Sequence, residues 1–136
     1  MSYYSTVKIR CQKEDLHYFE EAFEKCKQPD SCEEPLYPDK FMFNPKDNTY
    51  IMCWNWKQWF EPSDENVQAI MEVVRNLSED EDKDFDYVRI GENLEDADID
   101  EFHSNADSYD GLYPYICILG DEDAVETTAP WDKPKE

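Results

Sequence analysis

The chain has 136 residues, of which 40% are hydrophobic and 15% aromatic, and its formal net charge is −21 at pH 7. This length suits one domain with a single modest core, and the aromatic content argues against a disordered acidic chain. The charge disfavours direct binding to nucleic acid or to anionic membranes, because their phosphates would repel it. It favours a basic protein surface, or cations, as the partner.

The N-terminus has no apolar run of the signal-peptide type, and no stretch approaches the roughly 20 apolar residues that a membrane helix needs. We therefore expect a cytoplasmic protein. Its five cysteines include no C-x-x-C pair, which favours buried small hydrophobic residues over a zinc site. They are Cys11, Cys26, Cys32, Cys53 and Cys117.

The first predicted elements are a strand and a helix. Apolar and polar residues alternate over residues 4–11, which predicts a strand with one buried face. Over residues 13–27 the apolar spacing changes to three and four residues, which predicts an amphipathic helix. Its apolar stripe is Leu16, Phe19, Phe23 and Cys26. Its other faces carry Glu14, Asp15, Glu20, Glu21 and Glu24.

A hairpin and a second helix follow. Residues 44–48, rich in Asn, Pro and Asp, predict a turn between strands over residues 40–43 and 49–56. Ser63 is the predicted N-cap of a helix that continues to about residue 76. The buried stripe of this helix is Val67, Ile70, Met71, Val74 and Leu77.

Two further strands are predicted, over residues 85–90 and 113–119, each followed by a glycine. The order β-α-β-β-α-β plus one C-terminal strand predicts an α+β fold of the ferredoxin-like kind, an antiparallel sheet with two helices on one face. The additional strand is expected to pair with the fourth strand or to cover a sheet edge. Residues 1–120 are predicted to form a single domain, and residues 121–136 an acidic, proline-containing, loosely ordered tail.

The acidic residues are concentrated in the second half of the chain. Residues 1–60 carry eight basic and ten acidic side chains, whereas residues 61–136 carry five basic and 24 acidic ones. A charge run is usually a solvated surface that maintains solubility. However, the net charge exceeds the magnitude of about 2–8 that a small domain needs. This excess favours a surface that occupies a basic groove, for example by mimicking nucleic acid.

The predicted contact surface is the acidic belt, residues 92–110. Its acidic residues are Glu92, Glu95, Asp96, Asp98, Asp100, Glu101, Asp107 and Asp110. The aromatic run over residues 54–60 is interpreted first as core packing at a strand end, which would leave Trp59 at the sheet rim. An exposed Trp59 would add an apolar anchor to the contact surface.

A calcium site is a weaker interpretation of the same belt. Asp96, Asp98 and Asp100 are spaced like the first ligands of an EF-hand loop, and Asp107 falls at its last position. Position six is Glu101, where the sharp turn needs glycine, so we expect no specific metal site. A cation- or ligand-responsive regulatory domain of ferredoxin-like fold is the alternative function.

No motif indicates catalysis. The chain has three glycines and contains no glycine-rich phosphate loop, no G-x-S-x-G and no H-E-x-x-H sequence. The spacing of Cys11 or Cys53 from His17 does not support a thiolate pair. We therefore expect a protein that is not an enzyme and uses no cofactor.

The segment Tyr87-Val88-Arg89-Ile90-Gly91-Glu92, followed by acidic residues to Glu101, resembles a segment of phage-borne proteins. In size, single-domain build and negative charge the chain is similar to the small acidic anti-defence proteins of phages and mobile elements. These are anti-CRISPR or anti-restriction proteins of the DNA-mimic type. The resemblance implies a stoichiometric inhibitor in the host cytoplasm that docks on the nucleic-acid-binding groove of a defence effector or on a neighbouring domain. It implies no role for any individual residue.

Overall fold

The computed structural model describes residues 4–25, 36–59, 64–91, 99–104 and 124–132. These residues form six strands and two α-helices. In chain order they are β1 (Tyr4–Gln12), α1 (Leu16–Lys25), β2 (Lys40–Asn44), β3 (Thr49–Gln58), α2 (Glu65–Ser78), β4 (Asp86–Gly91), β5 (Ile99–His103) and β6 (Val125–Glu126). Short 3-10 turns lie at Lys13–Asp15 and Pro130–Asp132.

The six strands form one antiparallel sheet in the order β5-β4-β1-β3-β2-β6. β1 lies between β3 and β4, so that Ile9 is opposite Met52 on one side and Tyr87 on the other. The β2–β3 turn contains Asn48 in the left-handed conformation (φ 60°), which Asn tolerates better than most residues. The predicted α+β class, with an antiparallel sheet and two helices, is confirmed.

The main core lies between the sheet and the two helices. Val7, Ile9 and Cys11 alternate along β1 and are fully buried against the helices. From the helices, the core receives Leu16, Phe19, Phe23, Val67, Ile70, Met71, Val74 and Leu77. These are the predicted apolar stripes, apart from Cys26, which lies outside the described residues. Periodicity therefore identified the core-facing side of each helix correctly.

The opposite face of the sheet also carries buried side chains. Along β3, Ile51 and Cys53 alternate with Met52 and Trp54, and all four are buried. Along β4, Val88 on this face is fully buried. β3 and β4 thus have buried apolar residues on both faces, as strands covered on both sides do.

Two strands were not predicted. β5 lies within the acidic belt and pairs with β4, with Asp86 opposite His103 and Ile90 opposite Ile99. β6 pairs with β2, with Phe43 opposite Val125. The predicted strand over residues 113–119 lies outside the described residues.

Residues 124–132 pack against the sheet and α1, although the sequence analysis placed them in a loosely ordered tail. Ala129 is 1% exposed. The Trp131 ring contacts the rings of Phe23, Tyr37 and Phe41, with centroid distances of 5.1, 5.8 and 5.0 Å. This part of the predicted tail therefore belongs to the folded body, because one large aromatic side chain supplies the apolar contact.

The N-cap of α2 is Asp64, whereas the predicted cap, Ser63, lies outside the described residues. Asp64 Oδ1 accepts hydrogen bonds from the backbone N–H groups of Asn66 and Val67 at 2.9 and 3.2 Å. These bonds satisfy two donors that the first turn of the helix would otherwise leave without partners.

We expect Asp64→Ala to lower the free energy of unfolding by about 1 kcal/mol, because it removes both cap hydrogen bonds. Asp64→Asn keeps an acceptor oxygen and is the matched control, with an expected loss of a few tenths of a kcal/mol, roughly. Urea denaturation at pH 7 measures both. Equal stability of the Ala and Asn variants would show that the cap does not stabilise α2.

Candidate protein-binding surface

The structure describes three of the residues predicted to contact a partner. Asp100 and Glu101 are exposed residues of β5, and Trp59 directly follows β3. The others, Glu92, Glu95, Asp96, Asp98, Asp107 and Asp110, lie outside the described residues, and their place in a contact surface stays a prediction.

Asp100 and Glu101 lie on opposite faces of the sheet, because successive side chains of a strand alternate. Arg89 Nε donates a 2.8 Å hydrogen bond to Asp100 Oδ2, and Arg89 Nη1 donates to Ser5 Oγ at 2.9 Å. The Asp100 side chain is 53% exposed, so this ion pair contributes little stability. A flat partner surface could contact only one of the two carboxylates, and that of Asp100 already has an arginine partner.

Trp59 is 5% exposed and belongs to the core. Its ring stands against that of Trp54 with a centroid distance of 5.3 Å and an interplanar angle of 61°. The prediction that an exposed Trp59 anchors the contact surface is therefore corrected. The first interpretation of the aromatic run, core packing at a strand end, describes this residue.

Four consecutive exposed carboxylates follow α2, and we call Glu79, Asp80, Glu81 and Asp82 the acidic run. Asp80 Oδ1 accepts a hydrogen bond from the backbone N–H of Asp82 at 3.0 Å. Among the ion pairs of the described residues, none includes a member of the acidic run. The charge of Asp80 contributes to the raised pKa of Lys83, but the ion pair of Lys83 is with Asp15 and not with the acidic run.

The acidic run lies where the helix dipole disfavours it. Glu79 is the C-cap of α2, and its backbone N–H donates to the carbonyl of Arg75. The C-terminal end of a helix carries partial negative charge, which favours a nearby cation by about 0.3–1 kcal/mol and disfavours a carboxylate to a similar extent. A surface that served only solubility could carry these charges elsewhere without this penalty.

Asp84, two residues after the acidic run in the chain, is one of three carboxylates that pair with the buried Arg10. Arg10 is 2% exposed, and its guanidinium donates to both carboxylate oxygens of Asp84, with Nη2 to Oδ2 at 2.7 Å. It also donates to Asp86 Oδ2 at 3.1 Å and to Asp47 Oδ2 at 2.8 Å. Asp47 lies in the β2–β3 turn, so one cation connects this turn, β1 and the start of β4.

Arg10 and its carboxylate partners each stabilise the charged form of the other. Burial alone disfavours the charged guanidinium, but hydrogen bonds and charges from Asp84 and Asp47 outweigh burial and raise the pKa of Arg10. Partial burial of Asp47 opposes ionisation, yet hydrogen bonds from Arg10 and Thr49 hold the pKa of Asp47 below its usual value. These carboxylates are occupied by an internal cation and serve the fold rather than a partner.

Lys83 is a second cation that is paired internally beside the acidic run. Its Nζ donates to Asp15 Oδ1 at 3.0 Å, and the Asp15 side chain is 3% exposed. The hydrogen bond from Lys83 to Asp15 raises the pKa of Lys83. Lys83 and Arg10 thus both have carboxylate partners outside the acidic run.

Cys11 and Cys53 are buried, as the sequence predicted, and neither is in a disulfide; the other three cysteines lie outside the described residues. Burial raises the pKa of Cys11, so the thiol is protonated at neutral pH. A protonated thiol is a poor nucleophile.

Within the described ranges no helix has the length and apolarity to cross a membrane, and no three His, Cys, Asp or Glu side chains are grouped as metal ligands would be. No family model matches the chain, and no curated protein or solved structure is significantly similar to it. The function of the surface has to be inferred from its own residues.

Arg10→Met is expected to lower the free energy of unfolding by about 3 kcal/mol or more at pH 7, because it leaves the buried Asp86 carboxylate and its neighbours without their cation. Arg10→Lys keeps a positive charge but cannot form the two-oxygen contact with Asp84, so we expect a smaller loss. Urea denaturation of both variants measures this order. A Met variant as stable as the wild type would contradict a stabilising role of the cluster.

The effect of Arg10→Met is also expected to depend on pH. Because the folded-state pKa of Asp47 lies below its unfolded value of 3.8, this carboxylate stabilises the wild type above about pH 4, and the contribution is lost as pH falls through the folded-state pKa. Without Arg10 the part of that contribution that comes from Arg10 is absent at every pH, and only the part from the hydrogen bonds of Thr49 remains. The difference in unfolding free energy between wild type and variant should therefore shrink between pH 7 and pH 3. A difference that stays constant would contradict this reasoning.

Proposed function

We propose that this protein is an inhibitor that binds the basic, nucleic-acid-binding surface of another protein, a defence effector of the CRISPR or restriction type. The acidic run carries this proposal. Its four carboxylates are exposed, have no ion-pair partner among the described residues and follow the helix end where negative charge is disfavoured. A partner rich in Lys and Arg would supply the missing positive charge.

Carboxylates suit binding to such a partner because their hydrogen bonds to Lys and Arg are charge-assisted. Such bonds are roughly twice as strong as hydrogen bonds between neutral groups. The long-range field of a strongly acidic protein also accelerates its encounter with a positive surface. The proposal therefore implies rapid association that weakens as salt is added. Inhibition follows from occupancy of the groove, with no catalytic step.

The acidic belt is proposed to extend this surface along the edge of the sheet. Ser104 Oγ, just after β5, donates to the backbone carbonyl of Lys83, the residue that follows the acidic run. Ser104 follows the exposed Glu101 by three positions, which span about 10 Å in extended chain. Carboxylates spread over such a length can stand in for successive phosphates, which double-stranded DNA presents about every 1.7 Å of its axis.

We also infer that the fold is of the ferredoxin-like kind. The connectivity β1-α1-β2-β3-α2-β4 supports this inference, because it repeats the β-α-β-β-α-β order of that fold. On this view β5 and β6 are additions at the two edges of a four-stranded sheet.

The first test is a pull-down with the tagged protein from a nuclease-treated lysate of a bacterium that carries restriction and CRISPR systems. We expect a nucleic-acid-binding effector to be enriched at low salt and lost at high salt, because exposed charges are screened. A partner retained at high salt would indicate an apolar interface and contradict the acidic contact. Absence of a nucleic-acid-binding protein at either salt would contradict the proposed function.

Matched variants then test which carboxylates make the contact. Glu81→Gln with Asp82→Asn should lower the association rate by about tenfold, as loss of interfacial charge does. Asp39→Asn with Glu126→Gln removes the same charge from carboxylates that already pair with Lys57 and Lys40 at 3.2 and 3.5 Å, and should change the rate little. Equal effects of the two pairs would show that net charge alone matters.

The belt is tested separately by amide replacements at Glu95, Asp96, Asp98 and Asp100. Weaker binding with an unchanged or higher free energy of unfolding is expected, since the replacements also reduce self-repulsion. Unchanged affinity would show that the acidic belt does not contact the partner. The acidic run would remain the proposed contact.

A further inference from the structure

A pocket beside the last turns of α1 combines aromatic walls with two carboxylates. Its volume is about 260 Å³, and it is lined by Glu20, Phe23, Glu24, Tyr37, Pro130 and Trp131. The lining comes from three parts of the chain: α1, the segment before β2, and the C-terminal segment after β6. The volume suits one side chain, since pockets for drug-sized ligands start at about 300 Å³.

The aromatic walls are held in a fixed arrangement. The rings of Tyr37 and Trp131 are parallel within 4°, with centroids 5.8 Å apart. Phe23 stands edge-on to both, at 5.4 Å from Tyr37 and 5.1 Å from Trp131. Phe23 is 2% exposed, whereas Tyr37 and Trp131 are half-buried. Partly exposed faces of Tyr and Trp attract cations through the negative charge of the ring face.

Glu20 and Glu24 lie one helical turn apart at the same pocket, where like charges repel each other. In the described part of the chain neither carboxylate has an ion pair or side-chain hydrogen bond. Within the described ranges, the pocket therefore joins two carboxylates that have no ion pair to the aromatic residues Tyr37 and Trp131. Both features attract a positive group.

We propose that this pocket binds the guanidinium group of an arginine side chain on a protein partner. Guanidinium is planar and weakly hydrated, so it stacks on Trp or Tyr rings while its N–H groups donate to carboxylates. Its aliphatic stem can pack on Pro130. The choice of a basic protein as the source of this arginine rests on the proposed function. The pocket adds to that function a single anchoring contact, separate from the acidic run.

The direct test uses acetyl-arginine-amide as the probe, with acetyl-citrulline-amide as a neutral control of the same shape. Binding to the full-length, ¹⁵N-labelled protein is followed through the indole N–H signal of Trp131, which is assigned by its loss in Trp131→Phe. We expect a saturable shift with the arginine probe at millimolar concentration, roughly the affinity of one small contact, and none with citrulline. The same shift with both probes, or no saturation with arginine, would overturn the proposal.

A pair of double variants tests the role of the carboxylates. Glu20→Gln with Glu24→Gln keeps the size of both side chains and should weaken arginine binding by about tenfold, since it removes two charge-assisted contacts. Glu21→Gln with Glu72→Gln makes the same charge change on exposed helix positions outside the pocket and should leave binding unchanged. Equal weakening by both pairs would show that arginine responds only to the net charge of the protein. It would overturn the proposal that the pocket binds arginine.

Because the probe is a single amino-acid derivative, this titration does not depend on a cellular partner. If the arginine probe does not bind, the pocket is not an arginine site, and the acidic run remains the proposed contact. Saturable arginine binding together with a failed pull-down would contradict the proposed function and leave the pocket in need of a different arginine-bearing partner.

Discussion

The buried guanidinium of Arg10 joins segments that are far apart in the chain. Its carboxylate partners lie 37, 74 and 76 residues away, in the β2–β3 turn, just before β4 and within β4. A charge that is 2% exposed on a central strand is tolerated only with such partners. In a chain with 34 acidic and 13 basic residues, carboxylates are abundant and cations are few, so three carboxylates converge on one arginine. This contact positions the segment that leads from the acidic run into the sheet.

The inner part of the fold could be predicted from sequence because its core side chains follow clear periods. Alternation identified β1, and spacings of three and four residues identified the stripes of α1 and α2. β5 was missed because its sequence, IDEFH, is mostly polar and its position is set by pairing with β4. β6 has two exposed residues, and nothing in so short a segment predicts its pairing with β2. The docking of Trp131 depends on rings that belong to distant segments.

The candidate sites show the limit of reading charge from sequence. Glu and Asp residues around α1 look equivalent in the sequence, yet Asp15 is buried and paired with Lys83, Glu21 is exposed, and Glu20 and Glu24 line an aromatic pocket. The charge of the acidic run was visible in the sequence. The sequence does not show that Arg10 and Lys83 already pair with other carboxylates, because tertiary contacts determine these partners.

Trp131 has two roles that are physically coupled. Its ring packs on Phe23 and Phe41 and also forms one wall of the pocket, so the pocket is complete only while the C-terminal segment is docked. A ligand that fills the pocket therefore stabilises the docked segment, and by thermodynamic reciprocity the docked segment strengthens ligand binding. The same segment places β6 on the outer edge of β2. A ligand in this side-chain-sized cavity would thus also protect the edge of β2 from pairing with other chains.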